Sequence, residues 1–259
     1  MSGADLHVER WGEDGQKVLL VHGSVMGGAA SWAEQRPLAE RWRLIVLDRR
    51  GYYPNPPAAR EDFEVDADDV AELLGHGGDG VHLVGSSYGG VVALLAAAKR
   101  PEAVRSLTVI EPPAMAVAME DPDVFKFAAD IQQYWAEGPR EPEAFLRGFL
   151  ERVGSSAALP SPLPPTLDQN ARLLMNERSP AEARIPLGVL RRASFPKLVV
   201  SGAHSPVFDR ICDALQAGLW AERAVISGAG HSVQRVGEAF NARLEQFLND
   251  AEHRARSAA

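Results

Sequence analysis

The chain has 259 residues, of which 46% are hydrophobic and 24% charged, and its formal net charge is −8. That length suffices for one α/β domain with a sizeable core, and the negative charge argues against nucleic acid or an anionic membrane as the partner, leaving a small-molecule substrate as the expected one. The first fifteen residues lack the apolar run of a signal peptide, no stretch reaches the roughly 18 apolar residues of a membrane span, and the single cysteine, Cys212, excludes an internal disulfide, so a packed helical cysteine in a reducing cytoplasm is expected.

In chain order, six apolar runs read as strands: KVLLV at 17–21, RLIVL at 43–47, VHLV at 81–84, SLTVI at 106–110, KLVV at 197–200 and AVI at 224–226. Each is continuous rather than alternating, as in parallel strands covered on both faces. Helical stretches fall between them at 29–40, 65–74, 88–99, 207–217 and 233–248. The alternation predicts an α/β fold with a doubly wound, mostly parallel sheet. It breaks once, from 114 to 193, where no strand pattern occurs. That stretch carries Phe125, Phe127, Tyr134, Trp135, Phe145 and Phe149 and a Pro-rich turn at 159–165. It predicts a helical insertion between two sheet strands of a core made of 1–113 and 194–259. The tail, 252–259, is expected to fray.

Gly85-Ser86-Ser87-Tyr88-Gly89 matches Gly-x-Ser-x-Gly between an apolar strand and an apolar helix. That context is what a nucleophile elbow requires: a sharp turn that holds the serine strained, with small flanking residues relieving the crowding. The register selects Ser87, since only it has glycine two positions away on each side. The helix N-terminus then aims a backbone N–H, that of Tyr88, at a developing oxyanion. His22-Gly23-Ser24 follows the 17–21 strand, and the Ser24 N–H is the expected second donor; His22 itself reads as structural.

The ordered set VLLVHGS, VLDRRGYYP, HLVGSSYGG, TVIEPP, LVVSGAHSP and GAGHSVQ resembles the α/β-hydrolase superfamily from about Leu6 to Leu248. The resemblance implies a Ser–acid–His triad in that chain order, and a cap inserted after the sixth strand of the fold, where 114–193 lies. His231, in Gly228-Ala229-Gly230-His231 after the last strand, has the place of the general base. The acid departs from the family pattern. The usual Asp after the seventh strand is replaced in Gly202-Ala203-His204-Ser205, where Ser205 stands at its position. Some members carry the acid after the sixth strand, and Glu111, in Val109-Ile110-Glu111-Pro112-Pro113, is therefore preferred to Asp209 as the triad acid, with Ser205 lining the space beside it. The same combination is similar locally to the zearalenone lactone hydrolases.

Asp48-Arg49-Arg50-Gly51 reads as a structural turn, and the bulky Tyr52-Tyr53-Pro54 after it makes Tyr53 a candidate pocket wall. Trp135 is the candidate pocket residue from the cap. The expected activity is hydrolysis of a carboxylic ester or lactone through an acyl-enzyme. The alternatives are carbon–carbon hydrolysis of a diketone-like substrate, a cofactor-free peroxidase- or oxygenase-like activity, and a non-catalytic ligand receptor. No metal-ligand cluster and no dinucleotide motif is apparent, so neither metal nor cofactor is expected.

Overall fold

The computed structural model describes residues 3–76, 78, 80–155 and 158–258. Seven strands form one sheet: β1 (Val8–Trp11), β2 (Lys17–Val21), β3 (Arg43–Leu47), β4 (Val81–Ser86), β5 (Val104–Ile110), β6 (Lys197–Ser201) and β7 (Glu222–Val225). Their order is β1-β3-β2-β4-β5-β6-β7. All neighbours are parallel except β1, which pairs antiparallel with β3. The sequence reading missed β1, a four-residue edge strand whose only buried side chain is Trp11.

The helices are α1 (Gly28–Ser31), α2 (Phe63–Gly75), α3 (Tyr88–Lys99), α4 (Pro122–Glu137), α5 (Pro142–Arg152), α6 (Pro165–Leu174), α7 (Leu187–Arg192), α8 (Pro206–Leu219) and α9 (Glu238–Ala258). Two predicted helices are interrupted. The 29–40 stretch is the short α1 followed by a 3₁₀ segment, Ala33–Glu40, holding Pro37, which has no N–H to give an α-helical ladder. The 233–248 stretch breaks at Gly237, φ 64°. The tail does not fray: α9 continues through Glu252, whose carboxylate lies 3.3 Å from both Arg105 and His82, and Ala251 is buried. Ala259 lies outside the described residues.

Two apolar layers cover the sheet. One joins β2, β4, β5 and β6 residues to α2, α3 and α8, including the buried Cys212. The other packs Trp11, Trp32, Trp42, Val84 and Val200 against α9. Between β5 and β6, among the described residues, the chain is helical and has no strand. Its helices α4, α5 and α6 each begin on proline, which has no N–H to lose at the first helical position, and the Asp121 and Glu141 side chains accept from the first free N–H groups of α4 and α5. These helices form a third cluster in which Tyr134, Phe145, Leu146 and Leu174 pack with Val25 from the core. No helix among the described residues is long and apolar enough to cross a membrane.

Candidate active site

The sheet register brings the site together. Ser86 of β4 pairs with Ile110 of β5, and Ile110 with Val200 of β6. The next residues leave those strand ends side by side: Ser87 N donates to Ile110 O at 2.8 Å, and Glu111 N to Val200 O at 3.0 Å. Ser87 has φ 52° and ψ −126°, the strained elbow the motif predicts. The glycines are there because nothing larger fits: a Cβ on Gly89 would lie 2.3 Å from His22 O, and one on Gly85 2.3 Å from Gly89 O. Four of the five described non-glycine residues with positive φ, Val25, Ser87, Glu111 and Ala203, lie at this edge. Such backbone costs about 1–3 kcal/mol per residue and persists only where the surroundings enforce it.

The three predicted residues form one hydrogen-bonded line. Ser87 Oγ is 2.9 Å from His231 Nε2, and His231 Nδ1 is 2.8 Å from Glu111 Oε2. The carboxylate accepts at Nδ1, so the Nδ1–H tautomer is the one that leaves Nε2 free to accept from the serine. Gly202 N donates to the other oxygen, Oε1, at 2.7 Å. Burial pushes the Glu111 carboxyl up, but the neighbouring His204 and His231 rings and the Gly202 N–H outweigh it, and the group stays below the ordinary glutamate range, hence ionised. Phe208 packs against the His231 ring at 4.6 Å. Asp209 does not reach His231: its Oδ1 accepts from Ser201 Oγ at 2.5 Å and from Arg223 at 3.2 Å.

Ser24 and Tyr88 line a small cavity of about 20 Å³ together with Ser87 and His231, and Trp135, Phe127 and Ile131 close its apolar side. That volume holds about one water molecule. It opens at Ser24, Ser87 and His231 onto a cleft of about 560 Å³ between the 23–26 loop, the end of α5 and the 229–236 segment. The loop bearing Ser24 is held from below by Arg49, whose guanidinium donates to His22 O and Gly23 O at 3.0 Å each and to the Asp66 and Glu61 carboxylates at 2.6 and 2.8 Å. Burial, with Arg49 beside it, holds His22 well below its usual range, so its neutral Nε2 accepts from Arg49 N at 3.0 Å. His22 is structural, as expected.

Tyr53 is not a pocket wall. It is 72% exposed, whereas Tyr52 is the buried member of the pair, donating to Glu61 Oε1 at 2.8 Å and accepting from Val25 N at 3.2 Å. The buried carboxylate draws in the tyrosine beside it and turns the next one outward. The side chain that stands closest beside the Glu111 carboxylate in this stretch is that of His204, not of Ser205. Ser205 is the N-cap residue of α8, and the His204 Nδ1 lies 3.3 Å from Glu111 Oε1. Trp135 does line the cavity, with its Nε1 donating to Leu174 O at 3.2 Å.

Two groups were missed by the sequence reading. His204 carried a trace, since it sits in the stretch that departs from the family pattern. Glu177 carried none. It lines the small cavity and its carboxylate accepts from the Ser24 hydroxyl. Burial drives the Glu177 carboxyl well above its ordinary range and the Glu61 charge adds to this, with Ser24 only partly offsetting them. The site thus favours the protonated form of Glu177 at its rim. Glu111, His204 and His231 offer ligand atoms within 4.8 Å of one another, but those of Glu111 and His231 are engaged with each other or with Gly202.

The profile of the alpha/beta hydrolase fold family matches residues 17–150. The serine hydrolase BPHL of Mus musculus is 29% identical over 258 residues, covering 96% of this chain and 84% of that one. Among solved structures, a thermophilic esterase from Thermogutta terrifontis is 25% identical with a TM-score of 0.66, covering 94% of each chain. A membrane phospholipase A described as a bacterial virulence factor is 26% identical with a TM-score of 0.74, covering 97% of this chain and 85% of that one.

Proposed function

The chain belongs to the α/β-hydrolase fold family and is a serine hydrolase, and within that class we propose that it cleaves a carboxylic ester or lactone through an acyl-enzyme on Ser87. The observation that carries this reading is the unbroken line Ser87–His231–Glu111, with both joining distances under 3 Å. In the proposed reaction Ser87 Oγ attacks the carbonyl carbon as His231 Nε2 takes its proton. The carbonyl oxygen becomes an oxyanion between the N–H groups of Ser24 and Tyr88. His231 then passes the proton to the leaving alkoxide, while Glu111 stabilises the imidazolium and fixes its tautomer. Water, activated by the same histidine, releases the acid. The helical insert, 114–193, acts as the cap over this site and Trp135 selects what enters.

The cavity beside Ser87 is lined mainly by apolar side chains and holds about one water molecule, so it takes only the first atoms of an uncharged acyl group, and the wider cleft on the other side of Ser87 takes the rest of the ester. Labelling with a fluorophosphonate, followed by hydrolysis assays on p-nitrophenyl esters and on simple lactones, tests the reading. Stoichiometric labelling at Ser87 and turnover of one of these classes are expected. A protein that neither labels nor hydrolyses either class overturns it.

A further inference from the structure

Beside the triad, where the family pattern places an aspartate one residue on, stands a histidine. We propose that His204 is a positioning residue that couples the helical insert to the triad acid, holding Glu111 with one ring nitrogen and the turn after α5 with the other. The proposal rests on the serine-hydrolase reading above.

His204 follows Ala203, whose φ of 54° turns the chain back toward the sheet edge. Its ring stacks on Phe208 with centroids 5.7 Å apart and an interplanar angle of 28°. Nε2 lies 3.1 Å from Val153 O, at the end of α5. Nδ1 lies 3.3 Å from Glu111 Oε1, within ion-pair distance but outside good hydrogen-bond alignment. The insert closes on the ring itself: a Cβ on Gly154 would come 2.8 Å from His204 Cδ2.

Both ring nitrogens therefore face oxygen acceptors, and only the imidazolium has a proton for each. The charged groups facing it are Glu111 from the end of β5, His231 from the 228–232 loop and Asp209 from α8. Among the described residues the insert presents the Val153 carbonyl to it, and Arg152 pairs with Asp130 instead. The Glu111 carboxylate holds the His204 imidazole above its usual range. One carboxylate thus serves two rings whose centroids are 5.7 Å apart. A cation on His204 opposes a second cation on His231. When the turn at 153–154 moves off the ring, His204 loses an acceptor and its hold on Glu111 changes. The position of the insert thereby reaches the triad although Val153 and Gly154 donate nothing to it.

The test is the pH dependence of kcat/KM on p-nitrophenyl butyrate, with His204→Asn and, from the insert side, Gly154→Ala. Removing the cation should move the acidic midpoint upward by about 0.5–2 pH units, the range that unit charges at this spacing give between the dielectric of water and the effective dielectric of a protein surface. Gly154→Ala should move it in the same direction by less. A histidine that only packs would lower the plateau or the Tm and leave both midpoints where they are, and that result overturns the proposal. If His204→Asn does not fold, the Gly154→Ala midpoint decides. Glu111→Gln separates the two levels. If that variant keeps wild-type turnover, the triad reading falls and this proposal with it. If it is inactive while the midpoints stay fixed, only the role of His204 falls.

Discussion

Asp209 and Ser201 are joined by a 2.5 Å hydrogen bond, and that bond, with Arg223 on the same carboxylate oxygen, commits Asp209 to the base of α8 rather than to the catalytic histidine. The carboxylate on His231 belongs to Glu111 instead. Glu111→Gln keeps the shape but removes the charge that stabilises the imidazolium, so kcat should fall by about 10²–10⁴. Asp209→Asn should change kcat by less than about threefold, the scale of a partly exposed ion pair. Steady-state kinetics on the same p-nitrophenyl ester compare the two, and the reverse ranking would move the acid to Asp209.

Ser87→Ala removes the attacking oxygen and nothing else in the line. Turnover should drop by roughly 10⁴-fold or more, fluorophosphonate labelling should vanish, and circular dichroism should match the parent. Because the alanine inherits a backbone at φ 52°, no gain in stability is expected. Retained turnover in a clean preparation would assign the chemistry to another residue.

Glu177 separates shape from charge. Burial and the Glu61 charge favour its protonated form, so Glu177→Gln should preserve kcat within a few-fold, while Glu177→Ala, which leaves the Ser24 hydroxyl without its acceptor, should lower it further. The stability sign is specific. Below the ordinary carboxyl range both folded and unfolded chains hold the proton, and no penalty exists. As pH rises, the unfolded chain ionises while the buried group does not, and the wild type loses stability. The Tm advantage of Glu177→Gln should therefore grow from pH 5 to pH 8. Each pH unit is worth at most about 1.4 kcal/mol, and 1 kcal/mol shifts Tm by about 2–4 °C in a domain of this size. An advantage independent of pH would mean that the carboxyl ionises in place.

Trp135 bounds the cavity behind Ser87 and also a surface groove of about 580 Å³, which it shares with Glu177. Trp135→Ala should join the two spaces and admit longer acyl chains. Across an ester series, KM and chain-length preference should then move more than kcat for the short ester. A uniform loss across the series, together with a lower Tm, would give Trp135 a packing role alone.

The elbow was legible because backbone crowding dictates its residues locally: Gly85 and Gly89 answer to atoms a few ångströms away. The parallel strands were legible because burial on both faces leaves an uninterrupted apolar run. Glu111 was legible through its place at a strand end, since a carboxylate there needs a partner. The rest depends on which way a side chain turns. Tyr52 and Tyr53 are indistinguishable by composition, and only the buried Glu61, nine residues away, decides that Tyr52 goes inward. Glu177 meets Ser24 across 153 residues of chain, a pairing with no local signature. His204 was visible as a departure from the family pattern but not as a partner of Glu111, because the turn at Ala203 that aims it is made by a residue with no preference for that conformation.

Nucleophile and acid leave neighbouring strands that stay in register from His82–Ser106 to Ser86–Ile110, so their spacing is one interstrand step, about 4.8 Å, in the middle of the sheet. The base hangs from the opposite kind of scaffold: it follows β7, an edge strand with no fully buried residue, through a turn in which Gly228 and Gly230 both have positive φ, and the Gly230 backbone abuts Gly202 so closely that a Cβ on Gly202 would lie 2.0 Å from Gly230 O. The catalytic line is thus fixed by the strand ladder at two points and, at the third, by side-chain contacts of His231 with Glu111 and Phe208. Warming should detach the histidine before the sheet opens, so that activity fades at temperatures where ellipticity is still native, and amides of 228–232 should exchange with solvent long before those of β4 and β5.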